Sequence, residues 1–114
     1  MHELSIALSI VEMAEREARS RGGVRVSAVH LKLGLLCGVA KEALRFSYKV
    51  SCEGTMLEGS ELVIEESPAV VYCDKCETER SLSSIQRFFC PVCSTPAPKV
   101  IRGQKLELVA MEIN

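Results

Sequence analysis

Apolar residues in the first twenty positions recur every three or four residues. Leu4, Ala7, Leu8, Val11, Ala14 and Ala18 form one stripe, with Ser5, Ser9, Glu12, Arg16 and Arg19 elsewhere. That period predicts an amphipathic helix over 4–20. Ile6, Ile10 and Met13 widen the stripe, so more than one face is covered. Arg19, Arg21 and then Gly22-Gly23 form a C-terminal stop signal. From Val24 to Leu36 the period becomes two: Val29, Leu31, Leu33 and Leu35 alternate with His30, Lys32 and Gly34, as in a half-buried strand. Beyond Gly38, the apolar positions Val39, Ala43, Phe46 and Val50 predict a second helix over about 39–50, with Lys41, Glu42 and Arg45 on its wet side. Leu62-Val63-Ile64, between glutamates, reads as a strand stopped by Ser67-Pro68. Lys105 to Ile113 alternates again, with one slip of phase near Val109 that calls for a bulge or for two covered faces.

These elements predict an α+β fold in which two helices pack on a small, mainly antiparallel sheet. If the last strand pairs with those before the cysteine-rich stretch, that stretch is an inserted four-cysteine, zinc-ribbon-like lobe. The expected division is 1–67 with 100–114 as one α/β domain and 68–99 as the lobe. Pro68 and Pro96-Ala97-Pro98 are the expected hinges, because proline stiffens and ends regular structure.

Composition narrows the function classes. A chain of 114 residues is one small domain or a domain with a minor lobe, and its 47% hydrophobic content without tryptophan implies an aliphatic core. The net charge of −1, with both signs dispersed, argues against nucleic acid or an anionic membrane as partner. No apolar run approaches the ~20 residues of a membrane span. Met1-His2-Glu3 followed by an amphipathic pattern is unlike a secretory signal, so a cytoplasmic protein is expected.

Two Cys-x-x-Cys pairs, Cys73/Cys76 and Cys90/Cys93, are separated by thirteen residues. Each pair sets two thiolates on one tight turn, and the intervening length lets the turns meet in a tetrahedral four-sulfur shell. Such a shell suits zinc. Being closed, it suits structure better than catalysis. Competing readings are a disulfide framework and a redox dithiol, and the absent signal peptide and ribbon spacing weigh against them. Phe88-Phe89 is expected to pack beneath a metal site too small to own a core, with base stacking as the alternative. Residues 68–99 carry Lys75, Arg80, Arg87 and Lys99 against Asp74, Glu77 and Glu79, which is no basic ribbon. Cys37 and Cys52 sit among apolar residues as inert thiols, and His30 is read as a surface histidine.

The N-terminus holds a second set of donors. The Met1 amine, the His2 backbone nitrogen and the His2 Nδ1 can close fused five- and six-membered chelate rings. The Glu3 amide nitrogen, or another side chain, can complete a planar four-nitrogen set. Such a set suits nickel(II) or copper(II). By itself the tripeptide is weak evidence, and a solvated terminus is the better reading.

Taken together, Met1-His2-Glu3-Leu4-Ser5 opening a helix, the Val29-x-Leu-x-Leu-Gly34 strand, Glu53-Gly54-Thr55, Glu61-Leu62-x-Ile-Glu65 and the two cysteine pairs resemble the HypA/HybF family. These are nickel metallochaperones of nickel–iron hydrogenase maturation. The resemblance runs nearly end to end. It implies nickel as transported cargo on Met1, His2 and Glu3, and structural zinc on Cys73, Cys76, Cys90 and Cys93. It also implies delivery to a hydrogenase large-subunit precursor, together with the GTPase of the same pathway, by a monomer or weak homodimer that is not an enzyme. One departure is that Glu77 and Ser94 stand where the family often has glycine after the second cysteine, a position where the chain tends to turn left-handed. A side chain there costs about 1 kcal/mol. The rival functions are a zinc-ribbon adaptor without a second metal and, more distantly, a thiol redox enzyme.

Overall fold

The computed structural model describes residues 2–82 and 88–114. Its elements run α1 (Glu3–Ser20), β1 (Val26–Gly34), α2 (Lys41–Cys52), β2 (Glu61–Ser67), β3 (Ala69–Cys73), β4 (Thr78–Leu82), β5 (Val100–Arg102) and β6 (Leu106–Ile113). The strands form two three-stranded sheets, ordered β2-β1-β6 and β4-β3-β5. Two helices, mostly antiparallel strands and a four-cysteine cluster are thus present, as the pattern predicts. The second sheet is an addition to it.

The chain divides into two compact units. Met1–Leu31, Gly38–Glu65 and Leu108–Asn114 form the first; Lys32–Cys37 and Glu66–Glu107 form the second.

In the first unit, α1 buries Ala7, Ile10, Val11, Ala14 and Ala18. These are mostly small side chains, which bring α1 close to α2. Leu4 and Leu8, expected in the same stripe, stay about half exposed. Helix α1 ends as its glycines dictate: Gly23 N–H donates to Ala18 O at 2.9 Å and Gly22 N–H to Arg19 O at 3.1 Å, with φ of +76° and +92°. This is a Schellman closure, and it needs residues without a Cβ. Helix α2 turns a different face inward from the one its pattern suggests. Leu44, Tyr48 and Cys52 are buried, whereas Ala43 is exposed, Phe46 is 70% exposed and Val50 45%. The polar members of the buried face each have a partner there. Tyr48 can enter the core because its hydroxyl lies 2.6 Å from Ser60 Oγ, and Cys52 Sγ lies 3.9 Å from the same oxygen. Burial pushes the Tyr48 hydroxyl and the Cys52 thiol above their ordinary pKa, so both stay protonated and Cys52 is an inert thiol.

Strand β1 buries Val29, Leu31 and Leu33 as its alternation predicts, and also Val26 and Ala28, so its phase shifts between 28 and 29. His30 lies half exposed, its Nε2 2.8 Å from Glu112 Oε2. The slip foreseen near Val109 is present: Leu106, Leu108 and Met111 are half-buried while Val109 and Ala110 face out. Asn114 N–H donates to Arg25 O at 3.0 Å, so β6 ends where β1 begins and the two run antiparallel. Leu35 N–H donates to Ser67 O at 2.9 Å, so β1 and β2 end together and run parallel, joined through α2.

The second unit is built on β3, which pairs antiparallel with β4 from Ala69↔Leu82 to Cys73↔Thr78 and with β5 across a bulge at Val70/Val71. Among its described residues, Ala69, Val71, Leu82 and Ala97 form a buried apolar cluster, with Leu36 and Val100 packed against it. Gly34 and Gly103 permit a close crossing of backbones there: a Cβ on Gly34 would lie 2.4 Å from Gly103 O, and one on Gly103 2.7 Å from Ala69 Cα. A cluster this small stabilises a sheet weakly.

Candidate metal centre

The antiparallel register ends at Cys73↔Thr78, so Asp74, Lys75, Cys76 and Glu77 make the turn of the β3–β4 hairpin. The turn folds because Cys76 N–H donates to Cys73 Sγ at 3.4 Å and Glu77 takes a φ of +55°. Its counterpart spans Cys90 to Thr95. Cys90 N–H donates to Thr95 O and Ser94 N–H to Cys90 O, both at 2.9 Å, and Ser94 has a φ of +60°. Both left-handed positions fall directly after the second cysteine of a pair, occupied by a glutamate and a serine.

The two turns bring all four sulfurs together, every pair within 4.8 Å. Cys73 and Cys93 Sγ are 3.5 Å apart, Cys76 and Cys90 Sγ 3.9 Å. Tetrahedral Zn–S bonds of about 2.3 Å require sulfur–sulfur separations near ~3.8 Å, whereas a disulfide requires about 2.05 Å. The cluster therefore has the dimensions of a metal shell, and all four cysteines are free thiols. Cys73 and Cys90 are buried; Cys76 and Cys93 are half-buried.

Local donors and burial move three of the thiols away from their ordinary values. The Cys93 N–H, then that of Val92, holds Cys90 down at about 6. The Thr95 hydroxyl, 3.3 Å from Cys93 Sγ, and its N–H hold Cys93 below its ordinary value. Cys73 receives the Cys76 N–H, which lowers its pKa, but burial and the three neighbouring thiols outweigh it and push Cys73 up to about 11. Four sulfurs at these distances cannot all become anions without a cation among them.

Arg80 is a member of this site that sequence reasoning did not single out. Cys76 and then Cys90 hold its guanidinium proton more firmly than usual, while its buried Nε has no hydrogen-bond partner. A four-thiolate divalent site carries net negative charge, and a guanidinium beside it offsets part of that charge. Only the register of β4, which sets Arg80 opposite Val71, reveals the role. Phe88 and Phe89, expected to pack beneath the cluster, are not buried. They are 37% and 44% exposed, held at the surface where Phe88 O accepts from Ala97 N–H and Phe89 bridges Pro96.

Of the N-terminal donors, Met1 lies outside the described residues. His2 is exposed and extended, with φ −85° and ψ 127°, and stands as the N-cap of α1. The first helical hydrogen bond runs from Ile6 N–H to His2 O at 3.3 Å. The amides of His2 and Glu3 thus precede the repeating ladder, where nitrogens are available to a ligand. The Glu3 carboxylate is already engaged: Ala40 N–H donates to its Oε2 at 3.2 Å, which caps the start of α2 and holds the Glu3 carboxyl below its ordinary pKa. The Glu3 N–H also bonds its own carboxylate, so an ion taking the Glu3 amide would have to break that contact. No cluster of three or more metal-binding side chains other than the cysteines occurs among the described residues. A site at the N-terminus would have to be built mainly from backbone nitrogen and one imidazole.

Comparison with known proteins agrees with this geometry. The family model for hydrogenase/urease nickel incorporation, the metallochaperone HypA, matches residues 1–113. The chain belongs to the HypA family of metallochaperones. It is 50% identical over 112 residues to the hydrogenase maturation factor HypA of Chloroflexus aurantiacus, covering 98% of both chains. It is 48% identical over 112 residues to that of a Roseiflexus species, covering 98% of this chain and 91% of the relative. Its fold matches the solution structure of the nickel metallochaperone HypA from Helicobacter pylori with a TM-score of 0.67 at 18% identity, over 99% of this chain and 97% of that one. The expected family and fold class are borne out. No described helix is long and apolar enough to cross a membrane.

Proposed function

We propose that this chain binds one nickel(II) through the Met1 amine, the His2 backbone nitrogen and Nδ1, and the Glu3 amide. It carries structural zinc on Cys73, Cys76, Cys90 and Cys93, and passes the nickel to a hydrogenase large-subunit precursor together with the GTPase of the same pathway. It is a cytoplasmic carrier without catalytic chemistry. The observation that supports the nickel site is the exposed His2 joined to two amides that precede the helical ladder. Ionised amides cancel much of the charge of the ion, so the positive end of α1 does not repel the complex. Release is favoured by the same openness, whereas a closed sulfur cage would retain its ion.

The test is calorimetric titration of untagged, zinc-loaded protein with nickel. One nickel per chain is expected in addition to one zinc. His2→Ala, or a Gly-Ser extension ahead of Met1, should abolish specific nickel binding and leave zinc content and circular dichroism unchanged. Affinity should fall on acidification, because amine, imidazole and amides must shed protons to ligate. Unchanged nickel affinity in the extended protein would reject the N-terminal assignment and favour an adaptor that carries zinc alone.

A further inference from the structure

Strand β6 closes one side of the β2-β1-β6 sheet, and among the described residues no strand pairs with its other side. That free edge forms a wall of a groove of about 660 Å³ whose opposite wall is α1. Five β6 residues line it, Leu108, Val109, Ala110, Met111 and Ile113, the first four consecutive. Successive side chains on a strand point to opposite faces, so four in a row mark a groove that runs along the edge and meets the main chain.

The edge has free hydrogen-bonding groups and little protection. Asn114 N–H points at Arg25 O, so by alternation the main-chain groups of Ile113 and Met111 point away from β1. Residues 108–111, Leu-Val-Ala-Met, contain none of the charges, prolines or glycines that usually blunt an edge. Val109 is 60% exposed, and Met13 on the facing helix is 46% exposed. Three charged residues complete the groove: Arg16 and Glu17 of α1 and Arg21 just beyond its end. Arg21 pairs with Glu17 at 2.9 Å, but both are more than half exposed, so the pair is readily exchanged. Arg16 pairs at 3.2 Å with Glu12, which lies outside the groove. The lining therefore carries a net positive charge on a chain whose net charge is −1.

We propose that this groove binds an extended segment of a partner protein as a fourth strand on β6. Alternate apolar side chains of the segment contact Met13, Leu108 and Met111, and a carboxylate lies against Arg16 and Arg21. An open strand edge facing a helix across an apolar floor is the arrangement in which main-chain hydrogen bonds supply affinity and alternate side chains supply selectivity. The surface lies wholly within the first unit and needs no nickel, so it stands or falls separately from the nickel site.

The test uses full-length, zinc-loaded, nickel-free protein and a fluorescent octapeptide of alternating threonine and valine with a free C-terminal carboxylate, followed by anisotropy and NMR. Shifts should be confined to residues 13–21 and 108–113, and amide exchange should slow at Met111 and Ile113. The same peptide N-methylated at every second residue should bind at least about tenfold more weakly, since it keeps its side chains and loses one edge of donors. Arg16→Glu with Arg21→Glu, or a C-terminally amidated peptide, should weaken binding about fivefold. Equal binding of the N-methylated peptide, shifts elsewhere, or no binding at millimolar peptide would each overturn the proposal. So would β6 resonances that move with protein concentration alone, which would assign the edge to a second copy of the chain.

Discussion

The two units hold themselves together by different means. The first buries Ile10, Val11, Leu31, Leu44, Tyr48 and Leu57 to 4% exposure or less. Each such side chain contributes about 1.5–3 kcal/mol through the area it removes from water. The second buries Ala69, Val71, Leu82 and Ala97 as its apolar cluster and sets four sulfurs at the end of its hairpin. Structural zinc on those sulfurs, as proposed, would be worth on the order of 10 kcal/mol. The first unit carries the exposed His2, where the nickel site is proposed. The second has its donors committed to its own architecture, which makes it a poor place from which to release cargo.

Replacing one sulfur should break this contrast most severely. Cys90→Ser is expected to release the zinc and erase the amide dispersion of β3, β4 and β5, while helical ellipticity persists. Elemental analysis with NMR checks both, and full zinc retention would remove the four-cysteine assignment. The reciprocal change is Leu44→Ala, at a residue with 0% exposure. It should lower the stability of the first unit by about 2–5 kcal/mol, the range for large-to-small core substitutions. Zinc content should stay the same, with denaturation followed by circular dichroism and a zinc indicator. If zinc is lost at the same denaturant concentration as the helices, the two units unfold as one.

Arg80→Ala sharpens the comparison by separating the sulfur shell from its charge partner. Outer-shell changes of this kind weaken metal binding roughly 10- to 100-fold, and competition with a chelator should show a loss in that range with the four thiolates intact. Arg80→Lys should recover part of it, because a single ammonium cannot reach two sulfurs as a planar guanidinium does. The smallest expected effect is a gain. Glu77→Gly relieves a φ of +55° and should stabilise the second unit by up to about 1 kcal/mol in the zinc-loaded protein. A loss there would mean that the Glu77 side chain makes a contribution that exceeds the backbone strain.

Local chemistry made much of this legible in advance. Gly22-Gly23 had to end α1, because only residues lacking a Cβ accept two successive positive φ values cheaply. The period of two placed β1, and the slip at Val109 appears in the burial of β6. The cysteine spacing brought together the four sulfurs it promised. The second sheet was not legible. Ala69–Cys73 is an unbroken apolar run, Thr78–Leu82 is polar, and Val100–Arg102 has three residues, so none carries a period. They become strands because β3 finds partners on both sides, and pairing between distant residues leaves no mark on local pattern.

The sequence by itself determined the donor sets, since which atoms can hold a metal follows from residue type and spacing. It also determined the principal elements, whose hydrophobic periods are local. Only the tertiary structure decided which faces and atoms those elements present. It turned Leu44, Tyr48 and Cys52 inward in place of Phe46 and Val50, because Ser60 was there to satisfy the Tyr48 hydroxyl. It tied the Glu3 carboxylate to Ala40, set Arg80 beside two sulfurs, and left Phe88 and Phe89 partly exposed. Each of these depends on a partner remote in the chain, and no local period encodes which remote group will arrive.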